Sequence, residues 1–226
     1  GSSEAMAISS DGRSIVGSVF AKLERRAARW RSPNADPELL ISPAKGIPSS
    51  EANDVSDDGL TVVGATTNAG IIRAFRWTSE GGARELGTLS GSDHSRAVAV
   101  SADGSIVVGV SDWRAFRWSA VEGMIALDDL PGGSSEGMAA DISADGRLIV
   151  GSGFGNEDHR MRAAVIWDEN RVPRRVTDVL RSKGVHEELK GWTLLQSTAI
   201  SSNGRLVVGN GLNPAHQREA WIACLK

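Results

Sequence analysis

One thirteen-residue phrase occurs five times in this chain, at Ala5 to Gly17, Ala52 to Gly64, Ala97 to Gly109, Ala139 to Gly151 and Ser197 to Gly209. In each copy a small residue leads to Ser (Ser9, Ser56, Ser101, Ser143, Ser201). Asp-Gly follows two residues later, or Asn203-Gly204 in the last copy, and then an aliphatic pair closes on Gly. A chain that repeats itself this closely is restricted to architectures built from one supersecondary unit used several times.

The phrase reads as a tight β-hairpin. Asp-Gly and Asn-Gly tolerate the positive φ of a two-residue turn, and both flanks are apolar and often β-branched. The preceding Ser is placed to bond the turn amides. The closing Gly permits close backbone approach or a bulge. Five aligned acidic turns resemble a calcium-ligand series, but turn chemistry accounts for them without a metal.

Spacing between turn glycines is 47, 45, 42 and 58 residues, close to the forty to fifty of a four-stranded propeller blade. Within each period four short strands, a to d, are expected. Strand a precedes the turn and strand b follows it. Strand c carries Arg26-Ala27-Ala28-Arg29-Trp30, Arg73-Ala74-Phe75-Arg76-Trp77, Arg114-Ala115-Phe116-Arg117-Trp118, Ala164-Val165-Ile166-Trp167 and Glu219-Ala220-Trp221-Ile222. Its in-register tryptophans fit packing between units better than a sugar-binding ladder, because a repeat hides its apolar faces only against its neighbours. Strand d is expected at Glu38 to Ser42, Ala83 to Leu89, Ile125 to Leu130 and Arg175 to Leu180, with none following the fifth copy. Between Val179 and Leu189 the apolar spacing turns helical, predicting one or two helical turns near 180–190.

The expected fold is therefore all-β: a five-bladed β-propeller of four-stranded antiparallel blades in a single domain, the last blade possessing three strands unless residues before Gly1 complete it. Repeats fall at about 1–47, 48–93, 94–135, 136–192 and 193–226. An open stack of the same units would need polar caps, yet Ala5-Met6-Ala7-Ile8 is as apolar as the later copies.

An up-and-down strand order puts the Asp-Gly turns on one face and nearly all non-repeating residues on the other. That second face receives His94, His159, His186 and His216, with Trp113, Phe154, Asp158 and Asn213. Loops on a rigid scaffold are where binding residues collect, so His94, Trp113, Phe154, Asp158, His159 and His216 are the candidate ligand-binding set. Asp54 and Asp141 join it, since they replace the Ala7, Ala99 and Ala199 of other copies on the expected innermost strand. They are placed either to bind a ligand or to accept hydrogen bonds from neighbouring backbone or Arg. Histidines scattered over four loops lack metal-ligand spacing, and no metal or other cofactor is expected.

A net charge of −3 gives no basic footprint for nucleic acid. No segment has the length and apolarity of a membrane span, and the lone Cys224 excludes an internal disulfide.

These phrases together resemble the bacterial HAF repeat, whose His-Ala-Phe stands here as Arg73-Ala74-Phe75 and Arg114-Ala115-Phe116. Val100 to Gly109 and Leu127-Asp128-Asp129-Leu130-Pro131-Gly132-Gly133 match the rest of the pattern, and Gly191-Trp192-Thr193-Leu194 through Ala223 is similar to its C-terminal close. The resemblance implies an exported or surface-attached, autotransporter-like bacterial protein, hence an extracellular or cell-envelope location, and implies no catalytic residues. The expected function is a non-catalytic binding module that presents its variable loops to a glycan or a host or cell-surface protein. The alternatives are a polysaccharide hydrolase using Asp54, Asp141 and Asp158, or a structural spacer of a larger surface protein.

Overall fold

A computed structural model describes residues 2–21, 24–32, 34–41, 49–133, 136–155 and 161–225. The described chain holds five antiparallel sheets and one short helix. The first sheet contains β1 (Ser2–Ile8), β2 (Ile15–Ala21), β3 (Glu24–Trp30) and β4 (Glu38–Leu39). The second contains β5 (Ser49–Val55), β6 (Thr61–Asn68), β7 (Ile71–Thr78) and β8 (Gly82–Gly87). The third contains β9 (Ser95–Val100), β10 (Ile106–Ser111), β11 (Arg114–Ser119) and β12 (Gly123–Ala126). The fourth contains β13 (Gly137–Ile142), β14 (Ile149–Gly153), β15 (Ala163–Trp167) and β16 (Pro173–Arg175), and is followed by α1 (Val176–Ser182). The fifth has three strands, β17 (Thr193–Ile200), β18 (Leu206–Leu212) and β19 (Arg218–Cys224). Every sheet is a meander in which consecutive strands pair.

Two compact units divide the chain, one of Gly1–Asp112 with Arg117–Ile125, the other of Trp113–Phe116 with Ala126–Lys226. Each is held by the same joint chemistry. In the first, Val16 and Ala27 pack on Val55, Val62 and Trp77 of the next sheet. In the second, Val150 and Ile166 pack on Ile200, Val207 and Ala223. Trp77, Trp118, Trp167 and Trp221 are buried and Trp30 is half-buried, so four of the five repeated tryptophans are core.

The repeated phrase folds as a hairpin whose connection is longer than the two residues expected. Ser9 N donates to Ser14 O at 2.8 Å and Gly12 N to Ser9 O at 2.9 Å, leaving residues 10–13 as the loop. Only the glycine takes a positive φ (Gly12, +71°). The Ser and Asp complete it: Ser9 Oγ donates to Asp11 Oδ1 at 2.7 Å, while Arg13 N donates to the same oxygen and Ser14 N to Ser9 Oγ, each at 2.9 Å. The aspartate thus serves as an acceptor for two neighbouring donors, where the two-residue reading assigned it a positive φ.

The closing glycine marks a β-bulge in strand a. Pairing slips between Ala5 and Ala7, Ala52 and Asp54, Ala139 and Asp141, and Ser197 and Ala199. A Cβ at Gly17, Gly64, Gly151 or Gly209 would overlap the carbonyl oxygen of Glu4, Glu51, Met138 or Gln196. Glycine is required there because the bulge drives a carbonyl into its Cβ position.

Expected boundaries are corrected in the third and fourth repeats: the strand predicted over Ile125 to Leu130 is β12, Gly123–Ala126. The fourth strand predicted over Arg175 to Leu180 ends at Arg175, and the helix predicted near 180–190 begins at Val176 and ends at Ser182. Val176, Val179 and Leu180 follow an i, i+3, i+4 pattern and are buried. Gly184 (φ +84°) donates to Arg181 O at 2.9 Å and closes the helix. Of the expected strand at Glu38 to Ser42, β4 covers Glu38–Leu39, and Ser42 lies outside the described residues.

Candidate functional site

The turn carboxylates are occupied locally. Ser hydroxyls and the amides two residues beyond hold the carboxyls of Asp11, Asp103 and Asp145 below the usual aspartate value, the Ser hydrogen bond being the largest cause in each. Among the described residues no cluster of His, Cys, Asp and Glu is arranged to hold a metal.

Asp54 and Asp141 are joint residues. Asp54 Oδ1 accepts Val55 N and Oδ2 accepts Val100 N of the following sheet, both at 2.8 Å. Asp141 repeats this with Ile142 N and Ile200 N, both at 2.8 Å. One aspartate therefore serves two strands, its own and the next, which explains why the third and fifth copies carry Ala99 and Ala199. Burial pushes the Asp141 carboxyl up, partly opposed by those two amide hydrogen bonds. Hydrogen bonding to neighbouring backbone, one of the two roles open to these residues in sequence, is present in the structure.

The described loop candidates are divided between the two units. His94 lies in the first unit, where its Nδ1 accepts Ile72 N at 3.1 Å and Asp112 accepts the main-chain N–H groups of Asp93 and His94. Trp113 is 66% exposed at the β10–β11 turn, with its carbonyl accepting Gly137 N at 2.7 Å. His216 is exposed at positive φ (+58°) in a loop closed by Asn213, whose Oδ1 accepts Ala215 N and Gln217 N. His186 is exposed in the turns after α1. Asp158 and His159 lie outside the described residues.

Phe154 leads to a site. The Arg162 guanidinium stands 5.5 Å from the centre of its ring, within cation–π range. Arg162 is joined by Arg175 and Arg181 around a recess of about 270 Å3 in the second unit, with Thr177, Trp192 and Thr193 completing the polar and aromatic wall. Four elements build it. Arg162 immediately precedes β15, Arg175 ends β16, Thr177 and Arg181 lie on α1, and Trp192 enters β17. The Arg175 guanidinium lies against Gly155, where a Cβ would collide with it.

Arg181 is 3.5 Å from Asp178, both largely exposed. Among the described residues neither Arg162 nor Arg175 has a carboxylate within ion-pair distance. Among the described residues no carboxylate lines the recess. The chemistry of its described residues is thus cationic and hydrogen-bond donating, with two hydroxyls and one indole.

Sequence reasoning named Phe154 but missed the three arginines and Trp192. The available signal was local: six arginines fall between Arg160 and Arg181 in a chain of net charge −3.

The meandering sheets, joined through their faces by one repeated set of residues, define the class: the blades are those of a β-propeller fold. Among solved structures, the chain is similar to TolB from Acinetobacter baumannii (TM-score 0.64, 18% identity, 99% of this chain, 52% of that one). It is also similar to a putative TolB from Agrobacterium tumefaciens (TM-score 0.63, 15% identity, 99% of this chain, 77% of that one), and to an oligogalacturonate lyase in complex with manganese (TM-score 0.61, 13% identity, 96% and 61%). The chain spans about half the length of the Acinetobacter protein. At these identities the likeness concerns fold alone. No protein-family model and no curated protein sequence matches the chain. Among the described residues no helix is long and apolar enough to cross a membrane.

Proposed function

We propose that this protein is a non-catalytic binding module of the cell envelope or extracellular space, and that its variable loop face takes a carboxylated glycan. The observation that carries the reading is the recess of Arg162, Arg175 and Arg181, two of them without an ionic partner among the described residues, beside Trp192. Arginine presents a planar fork that matches a carboxylate in two hydrogen bonds, and an indole offers an apolar face to a sugar ring. The envelope location rests on the likeness to the HAF repeat. A protein ligand recognised through acidic side chains is the competing outcome.

Binding to immobilised alginate, to its carboxyl-reduced form and to polyglutamate separates these. Saturable binding to alginate that is lost on carboxyl reduction, weakens with salt and falls about tenfold or more in Arg162→Ala/Arg175→Ala supports the reading. Equal binding of the reduced polymer refutes it, and preference for polyglutamate transfers the site to proteins.

A further inference from the structure

The cation–π pair at the recess has a counterpart in the first unit. Arg25 stands 5.7 Å from the centre of the Phe20 ring, and Arg162 stands 5.5 Å from that of Phe154. Strand register makes the two sets equivalent. Glu4 pairs with Ser18 and Ser18 with Ala27 in the first sheet, as Met138 pairs with Ser152 and Ser152 with Ala164 in the fourth. Each phenylalanine lies two residues beyond its serine, and each arginine two before its alanine. The contacts repeat with the register. Arg25 Nε donates to Ser18 Oγ at 2.9 Å, and Arg162 Nη1 to Ser152 Oγ at 3.5 Å. Arg25 Nη2 donates to Glu4 Oε2 at 2.9 Å, and Arg162 Nη1 to Met138 Sδ at 2.9 Å. The fold does not require this set, since Thr67 with Ile72 and Leu212 with Arg218 hold the ring and cation positions in the second and fifth sheets.

What differs between the two is the anion. Arg25 is engaged by two carboxylates, Glu4 of its own sheet and Glu51 of the next. The residues at those register positions in the fourth and fifth sheets are Met138 and Gln196. A thioether is a weak, uncharged acceptor. Ring, hydroxyl and sulfur therefore orient the Arg162 guanidinium at the recess without neutralising it. A cation held in place before its ligand arrives loses less freedom on binding.

We infer that Arg162, set by Ser152, Phe154 and Met138, is the seat of the ligand's carboxylate, which plays there the part that Glu4 and Glu51 play at Arg25. Met138 is the residue that keeps the seat open. That the carboxylate belongs to a glycan rests on the function proposed above. The equivalence with Arg25 also shows how the seat is closed: a glutamate in place of Met138 lies within reach of the same guanidinium. Such an internal carboxylate acts at an effective concentration of about millimolar or more, so it displaces the ligand's.

Met138→Glu, with Met138→Gln as an uncharged side chain of the same length, tests this in the 226-residue chain. Without ligand, NMR titration of the carboxyl that Met138→Glu introduces should place it about one unit below the ordinary glutamate value of about 4.3. On immobilised alginate, Met138→Glu should bind about tenfold or more weakly than Met138→Gln. Arg162→Gln, which adds no charge, should by itself lose about tenfold relative to wild type. An introduced carboxyl at its ordinary value overturns the seat whether or not alginate binds. So does equal alginate binding by Met138→Glu and Met138→Gln, or wild-type binding by Arg162→Gln. A lowered carboxyl in a chain whose wild type ignores alginate supports the seat and refutes the glycan reading alone.

Discussion

Replacing Asp141 by Ala tests the joint on which the second unit depends. The side chain accepts two main-chain N–H groups, Ile142 N and Ile200 N, each at 2.8 Å, and truncation leaves both without that acceptor. A buried donor stripped of its partner costs about 1–3 kcal/mol, so the pair costs about 2–6 kcal/mol. The buried carboxylate carries its own desolvation penalty, visible in its upward-shifted carboxyl, and removing it returns part of this. A net loss of about 2–4 kcal/mol remains. Amide hydrogen exchange reads it at the affected groups, where protection of Ile200 should drop by roughly thirtyfold or more. The pH dependence has a definite sign. With the native carboxyl raised above 3.8, the folded state holds the proton more tightly than the unfolded state. The contribution from protonation is full below that value and is lost as pH rises through the native pKa. The stability difference between wild type and Asp141→Ala should therefore shrink as pH rises across that window. Unchanged Ile200 protection in the variant refutes the shared-acceptor account.

Two further outcomes follow from the repeat. Ser197 Oγ is buried without a hydrogen-bond partner, while the other copies carry Ala5, Ala52, Ala97 and Ala139; Ser197→Ala should stabilise the chain by about 1–2 kcal/mol in urea unfolding, and a loss of stability counts against equivalence of the copies. Asp103 has the opposite linkage to Asp141, because its Ser101 and Ser105 partners lower the native carboxyl below 3.8; its contribution is present above that value and lost as pH falls through the native pKa. Acid titration of Asp103→Asn should show a shallower loss of stability than wild type, and identical slopes would remove the turn hydrogen bonds from the account.

The architecture was legible because its causes are local and repeated. A glycine after an aliphatic pair, recurring five times, announces a bulge, and Gly64 and Gly151 sit where a carbonyl needs the space. A tryptophan kept in register announces packing, as Trp77 and Trp167 show. The turn was misjudged because Asp-Gly alone does not report that Ser9 and Asp11 hold a longer loop. The helix was displaced because Val176, Val179 and Leu180 satisfy strand and helix patterns alike over so short a span. The recess was hidden for a deeper reason. Arg162, Arg175, Arg181 and Trp192 come from a strand entry, a strand end, a helix and the entry to another strand, so no single spacing joins them.

The most direct measurement of the recess as a carboxylate site is a titration of the Arg Nε–H resonances with a short alginate oligomer. The account predicts saturable shifts of Arg162 and Arg175 at one common midpoint, with Arg147, at the Asp-Gly turn of the same unit, unchanged. Shifts spread evenly over the surface arginines, or none at Arg162 and Arg175, would contradict it.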